Sequence, residues 1–125
     1  MLTARLRILI VDDEEPVRET LSAALWKLGH TAEAVESAEA AFEVFDSGRF
    51  DLVITDLHLP GISGSQFARI VKRENGELPV ILFTAFPPVQ NPEGIDNVLV
   101  KPCTVDTLKQ AIAAVRSRSR GAGRR

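Results

Sequence analysis

Short apolar runs rich in Val, Ile and Leu recur along the chain and alternate with longer stretches of mixed polarity. The runs cover residues 6–11, 31–35, 51–55, 79–84 and 98–100. Most are continuously apolar instead of alternating, which is typical of strands in a parallel sheet that is buried on both faces.

The stretches between the runs carry apolar residues three and four positions apart, as one face of a helix requires. The first helix is predicted to begin at Pro16 and to close at Gly29. Ser37 and Thr104 can cap the second and the last helix, and another is predicted over residues 64–75. Repeated strand–helix units of this kind indicate a parallel sheet with helices on both faces.

The fourth crossover, which connects the fourth and fifth predicted strands, does not follow this alternation of strands and helices. It reads AFPPVQNPEGIDN over residues 85–97 and contains Pro87, Pro88 and Pro92. Proline disfavours helical geometry in the residue before it and blocks helix interiors. We therefore predict a loop here, with at most one helical turn.

Length and composition fit one cytoplasmic domain. The chain has 125 residues and one cysteine, Cys103, so an intramolecular disulfide is impossible. No apolar run is long enough to span a membrane, and we expect no membrane association. Five of the fifteen basic residues fall in 116–125, which leaves ten basic and seventeen acidic residues, a charge of −7, on the other 115. Such an acidic body argues against nucleic-acid binding, and we divide the chain into a domain at 1–117 and a flexible basic tail or truncated linker at 118–125.

Polar residues follow four of the predicted strands directly. Asp12 and Asp13 follow the first, Asp56 the third, Thr84 ends the fourth, and Lys101 follows the fifth. The carboxyl ends of parallel strands share one edge of the sheet, where functional sites of such folds lie. Grouped carboxylates suit a hard cation such as Mg²⁺ or Mn²⁺, and a lysine beside a hydroxyl suits a phosphoryl group. This set supports phosphoryl transfer onto a carboxylate.

Together these motifs resemble the receiver domain of two-component response regulators. The acidic pair Asp12-Asp13, the stretch DLHLPGISG at 56–64, Thr84-Ala85 and Lys101-Pro102 occur in that order, and the likeness runs from about residue 6 to 115. It implies an α/β flavodoxin-like fold, a doubly wound (βα)5 parallel sheet with strand order 2-1-3-4-5. The unusual crossover implies a fourth helix that is shortened or replaced by a loop.

The resemblance also implies roles for individual residues. Asp56 would accept the phosphoryl group, and Thr84 and Lys101 would hold its oxygens. The metal would be bound by Asp12, Asp13, Asp56 and the backbone carbonyl of His58. Lys101-Pro102 would be a cis peptide bond. Such domains catalyse only their own phosphorylation and dephosphorylation, and receive the phosphoryl group from a histidine kinase or a histidine phosphotransfer protein.

The resemblance also draws attention to one departure from the family pattern, to two residues that could affect dephosphorylation, and to a docking surface. Val98 stands where receivers usually carry an aromatic switch residue, three before the lysine. His58 and Phe86 lie two residues after Asp56 and Thr84 and are candidates for tuning dephosphorylation. By resemblance, a partner docks around Pro16, Thr20, Ala23, Cys103 and Thr104. The output partner or output domain is not indicated.

Of three other interpretations, one is an open alternative and two are opposed by the sequence. The loop-like crossover and Val98 favour a receiver-shaped scaffold that works without phosphorylation. An aspartyl-phosphate phosphatase would need an acid two residues after the nucleophile, where this chain has His58. A flavin site is opposed by the acidic first loop.

Two further residues have simpler expectations. His30 is predicted on the surface. Trp26 faces away from the apolar stripe of the first helix, either outward or partly buried against a neighbouring helix.

Overall fold

A computed structural model describes residues 5–46 and 48–123, with side chains as far as residue 116. Strands and helices alternate through the first four strands. The strands are β1 (Arg7–Val11), β2 (Thr31–Val35), β3 (Leu52–Thr55), β4 (Val80–Thr84) and β5 (Asn97–Val100). The helices are α1 (Glu15–Lys27), α2 (Ala38–Val44), α3 (Gly64–Glu74) and α4 (Val105–Gly123). In this part of the chain no helix is long and apolar enough to cross a membrane.

The five strands form one parallel sheet in the order β2-β1-β3-β4-β5. This confirms the predicted fold class and strand order. The sheet has two hydrophobic layers, one on each face. Helices α1 and α4 cover one face, chiefly through Leu21, Leu25, Leu108 and Ile112. Helices α2 and α3 cover the other, chiefly through Ala38, Ala41, Phe67 and Val71.

The connection from β4 to β5 contains no helix, which confirms the loop predicted from its prolines. Residues 85–96 all belong to the described part of the chain. Ile95 contacts the α2–α3 core layer. The carboxylate of Asp96 accepts hydrogen bonds from Lys72 Nζ at 2.7 Å and from the Val80 amide at 2.8 Å. The end of the loop is therefore tied to α3 and β4 by the apolar packing of Ile95 and by the ion pair and hydrogen bonds of Asp96.

Helix ends follow the predicted caps. The hydroxyls of Ser37 and Thr104 accept hydrogen bonds from the backbone three residues later, both at 3.0 Å. Pro16 lies in the first turn of α1, and Gly29, just beyond that helix, has a φ of 92°. The backbone of α4 continues to Gly123, through most of the segment predicted as a tail or linker. The last two residues of that segment, 124–125, lie outside the described residues.

The prediction that His30 lies on the surface is wrong. His30 is only 6% exposed, and its Nδ1 accepts a hydrogen bond of 3.0 Å from the Leu6 amide. An acceptor nitrogen must be unprotonated, so this imidazole is neutral in the fold. Burial, with a smaller contribution from the charge of Arg116, lowers the pKa of His30. Trp26, by contrast, is 69% exposed, so of the two placements left open by the sequence the structure shows the outward one.

The stability of the fold should depend on the protonation of His30. Because the folded-state pKa is depressed, the unfolded chain binds the proton more strongly, and stability should fall as the pH drops below about 6.5, the ordinary histidine pKa. In His30→Asn the side-chain oxygen can accept the same bond but does not titrate. We expect wild type to lose about 1 kcal/mol more than the variant between pH 7.5 and 5.5. Urea unfolding at both pH values measures this, and equal pH slopes would contradict it.

Candidate functional site

Four strand ends bring the predicted polar residues to one edge of the sheet. Asp12 follows β1 and Asp56 follows β3, the strand beside it. Thr84 is the last residue of β4, and its carbonyl accepts a 2.9 Å hydrogen bond from the Lys101 amide just beyond β5. The peptide bond that follows, Lys101-Pro102, is cis, as the resemblance implied. Residues up to 89 positions apart in the sequence thus share one site.

Lys101 is the central cation of this site. Its Nζ lies 2.7 Å from Asp12 Oδ2, 2.9 Å from Asp56 Oδ2 and 3.6 Å from Glu14 Oε1. Burial alone would lower the pKa of Lys101, but its ion pair with Asp12 and its hydrogen bond to Asp56 outweigh burial and raise that pKa. The lysine is therefore held charged between two buried carboxylates.

Asp12 retains an oxygen that hydrogen bonding does not satisfy. The side chain is buried, and its Oδ1 accepts a 2.9 Å hydrogen bond from the Glu14 amide. Oδ2 lies at ion-pair distance from Lys101, but no hydrogen bond of good geometry reaches it from the described residues. Burial raises the pKa of Asp12, and Lys101 offsets part of that rise. A buried carboxylate oxygen in this condition is suited to a further cationic partner.

Asp12, Asp13 and Asp56 together offer a set of metal ligands. One carboxylate oxygen from each lies within 4.8 Å of the others. Asp13 is exposed while the other two are buried, so the cluster opens to solvent on one side. Three carboxylates and the unsatisfied Asp12 Oδ2 match the oxygen-only ligands that Mg²⁺ or Mn²⁺ prefers. The structure also places the His58 amide 3.3 Å from Asp56 Oδ1, whereas ligation by the His58 carbonyl stays a prediction.

The rim of the site is formed by the loops after β3 and β4. The Thr84 hydroxyl is buried and accepts a 3.3 Å hydrogen bond from the Phe86 amide. The Phe86 ring is 74% exposed and meets the His58 ring edge-on, with centroids 6.4 Å apart. Val98, half-buried on β5, pairs in register with Leu82. The two rings therefore lie beside each other at the mouth, next to the residues that follow Asp56 and Thr84.

Two contacts at the site, and one position without room for a side chain, were not predicted from the sequence. Glu14, just before the first helix, pairs with Lys101. Arg18 Nη1 donates a 2.8 Å hydrogen bond to the Asp12 carbonyl. A Cβ atom on Gly64 would lie 2.0 Å from the backbone oxygen of Asp56. Glu14 and Arg18 are four residues apart, so helical spacing brings both near the end of β1. The close approach at Gly64 could have been expected from the glycine that ends the DLHLPGISG motif.

A groove runs from Lys101 along α1. It encloses about 250 Å³ and is mostly apolar. Four of the five predicted docking residues line it, namely Pro16, Thr20, Cys103 and Thr104. Ala23 lines an adjoining cavity of about 410 Å³ that shares Thr20 and Ala24 with the groove. The predicted docking residues thus share one surface, and burial raises the pKa of the Cys103 thiol there.

Solved structures show the same architecture. A receiver domain from Clostridium thermocellum superposes with a TM-score of 0.83 at 27% identity, covering 91% of this chain and 96% of that one. The response regulator TrrA of Thermotoga maritima, solved with Mg²⁺ and beryllium fluoride, superposes with a TM-score of 0.80 at 35% identity. That match covers 87% of this chain and 97% of that one.

Curated relatives agree with the structures. The response regulator FleR of Pseudomonas aeruginosa is 37% identical over 112 residues, which are 86% of this chain and 24% of that protein. The transcriptional regulatory protein TcrA of Mycobacterium tuberculosis is 33% identical over 117 residues, 90% of this chain and 46% of that protein. The chain therefore spans less than half the length of these relatives. The family model described as the response regulator receiver domain matches residues 8–113. The chain belongs to the receiver domains of two-component response regulators.

Proposed function

We propose that this domain accepts a phosphoryl group on Asp56 and thereby switches its binding to partners. The observation that carries the proposal is the grouping of Lys101 with the buried Asp12 and Asp56 beside the exposed Asp13. Apart from its own phosphorylation and dephosphorylation, we assign it no enzyme activity.

The chain's own residues define the proposed reaction. Bound at Asp12, Asp13, Asp56 and the His58 carbonyl, Mg²⁺ would offset charge on the transferring phosphoryl group. An Asp56 oxygen attacks phosphorus in line with the leaving group. Lys101 exchanges its contact with Asp56 for one with a phosphoryl oxygen, and the Thr84 hydroxyl binds another oxygen. In the structure the Lys101 amine already lies 2.9 Å from the nucleophile's carboxylate.

We further propose a histidine kinase or a histidine phosphotransfer protein as the donor. The groove supports this because it is mostly apolar and is lined by Lys101, whose amine contacts the reacting carboxylate of Asp56. We keep the domain bounds at 1–117, with 118–125 as a basic tail or linker. The single thiol supports a cytoplasmic location.

Intact mass measurement tests the proposal. The protein is incubated with Mg²⁺ and acetyl phosphate, and we expect a gain of one phosphoryl group in wild type. Asp56→Asn should gain none, since the amide is not a nucleophile for this transfer. Omitting Mg²⁺ should also prevent the gain. A wild-type protein that stays unmodified would refute the proposal.

A phosphorylation-independent scaffold is the second candidate. The loop in place of a helix between β4 and β5, and Val98 on β5, favour it, because an activating signal has no aromatic switch and no fourth crossover helix to move. The same mass measurement separates the two candidates. A scaffold would remain unmodified and would not bind Mg²⁺.

His58 and Phe86 are proposed to set the lifetime of the phosphoryl group. Their rings meet at the mouth of the site and would limit the approach of water to the acyl phosphate. We expect Phe86→Ala to shorten the half-life about 3-fold and Phe86→Leu to change it less. The measurement follows loss of the phosphoryl group by intact mass after removal of donor. Equal half-lives for Phe86→Ala and wild type would refute this role.

A further inference from the structure

Three carboxylates pair with Lys101 in the described part of the chain, and Glu14 is the one that is not part of the proposed metal or phosphoryl site. Its side chain is 60% exposed, and its Oε1 lies 3.6 Å from Lys101 Nζ. Its own backbone amide is fixed by Asp12 Oδ1 at 2.9 Å, which holds the residue at the entrance. Glu14 therefore combines a solvent-facing carboxylate with contact to the cation that would meet an incoming phosphoryl group.

Glu14 changes the net formal charge around the entrance to the site. Four carboxylates face two cations there: Asp12, Asp13, Glu14 and Asp56 against Lys101 and Arg18. Their formal charges sum to −2, which a divalent cation would bring to zero. Without Glu14 the metal-loaded entrance would carry +1, a charge that attracts an anionic donor.

We propose that Glu14 is a specificity-determining residue that slows phosphorylation by small, free anionic donors. The inference rests on the proposed phosphorylation of Asp56. Glu14 repels such a donor and also competes with its phosphoryl oxygens for Lys101. A docked protein donor is held by the groove along α1, so the same repulsion is offset by binding elsewhere.

The step that Glu14 slows is a simple transfer. An oxygen of Asp56 forms a bond to phosphorus, and the bond from phosphorus to the acetyl oxygen of acetyl phosphate breaks. Acetate leaves with that electron pair, and no proton needs to move. Only the approach and the placement of the dianionic donor are affected by a charge at the entrance.

The test compares Glu14→Gln with Glu15→Gln. Glu15 is the next residue and is also an exposed glutamate, but in the described part of the chain it is not among the ion-pair partners of Lys101. With acetyl phosphate and saturating Mg²⁺ at low ionic strength, we expect Glu14→Gln to be phosphorylated about 3- to 10-fold faster than wild type. Glu15→Gln should stay within about 2-fold. At 0.5 M NaCl the Glu14→Gln advantage should shrink because salt screens exposed charges.

A second measurement separates this inference from the proposed function. Beryllium fluoride with Mg²⁺ imitates a phosphoryl group without reacting, and its binding can be followed by NMR in the same three proteins. If wild type is not phosphorylated but Glu14→Gln binds beryllium fluoride more tightly than wild type and Glu15→Gln, the proposed function fails and the charge role of Glu14 stands. If Glu14→Gln equals wild type in both measurements, or Glu15→Gln changes equally, the inference is overturned.

Discussion

Gly64→Ala should destabilise the domain by about 3 kcal/mol and slow phosphorylation of Asp56 at least about tenfold. Gly64 begins α3, and its amide donates a 3.0 Å hydrogen bond to the Leu57 carbonyl. A Cβ there would lie 2.0 Å from the Asp56 backbone oxygen and 2.9 Å from the Leu57 Cα. Both neighbours are backbone atoms, so relief requires the strand end that carries the nucleophile to move.

A second glycine provides the matched control for this substitution. A Cβ on Gly76 would meet only the Lys72 carbonyl oxygen, at an ordinary 3.7 Å. Gly76→Ala should therefore not destabilise the domain, and any gain in the free energy of unfolding should be no more than about 1 kcal/mol. Urea unfolding gives the free energies, and intact mass with acetyl phosphate gives the rates. If Gly64→Ala and Gly76→Ala behave alike, the close packing of Gly64 on the nucleophile's backbone is not a constraint.

Most of the fold could be predicted because its signals are local. Apolar runs, interrupted in β2 by Glu33, identified the five strands, and the prolines after Thr84 identified the connection without a helix. Helix ends are less predictable: Ser37 indicates where α2 begins, but no residue of the sequence indicates that it ends at Val44, after which Phe45 adopts an extended backbone. Propensity locates a helix well, but its last turn depends on how the following residues pack.

The candidate site was predicted where residue type and strand position coincide. Asp12, Asp56 and Lys101 follow strands directly, so a parallel sheet alone brings them together. The buried imidazole of His30 could not be found this way, because its partner is the amide of Leu6, a contact made only when β1 and the end of α1 have come together. The contact between Glu14 and Lys101 depends likewise on the rotamers of two long side chains, which spacing does not encode.

Lys101→Met should destabilise the metal-free domain by about 3 kcal/mol at pH 7.5, the cost of leaving a buried charge without its partner. Asp12 and Asp56 are both buried, and Lys101 is the cation that contacts both. The control is Lys109→Met on α4. Lys109 is exposed, so this substitution removes the same charge without leaving buried carboxylates unpaired. Urea unfolding in the presence of a metal chelator measures all three proteins. Equal stabilities of the two variants would contradict the prediction.

The pH dependence of Lys101→Met should distinguish lost charge pairing from lost packing. Burial already raises the pKa of Asp12 in wild type, so the folded protein binds that proton more tightly than the unfolded chain, and the ionised carboxyl costs stability at neutral pH. Without Lys101 the pKa of Asp12 should rise further, and the free-energy cost of keeping Asp12 ionised in the folded protein should grow. Because protonation removes the charge, the deficit of Lys101→Met relative to wild type should narrow as the pH falls from 7.5 to 5. A packing defect would leave the deficit constant over this range, since removal of methylene contacts does not involve a proton.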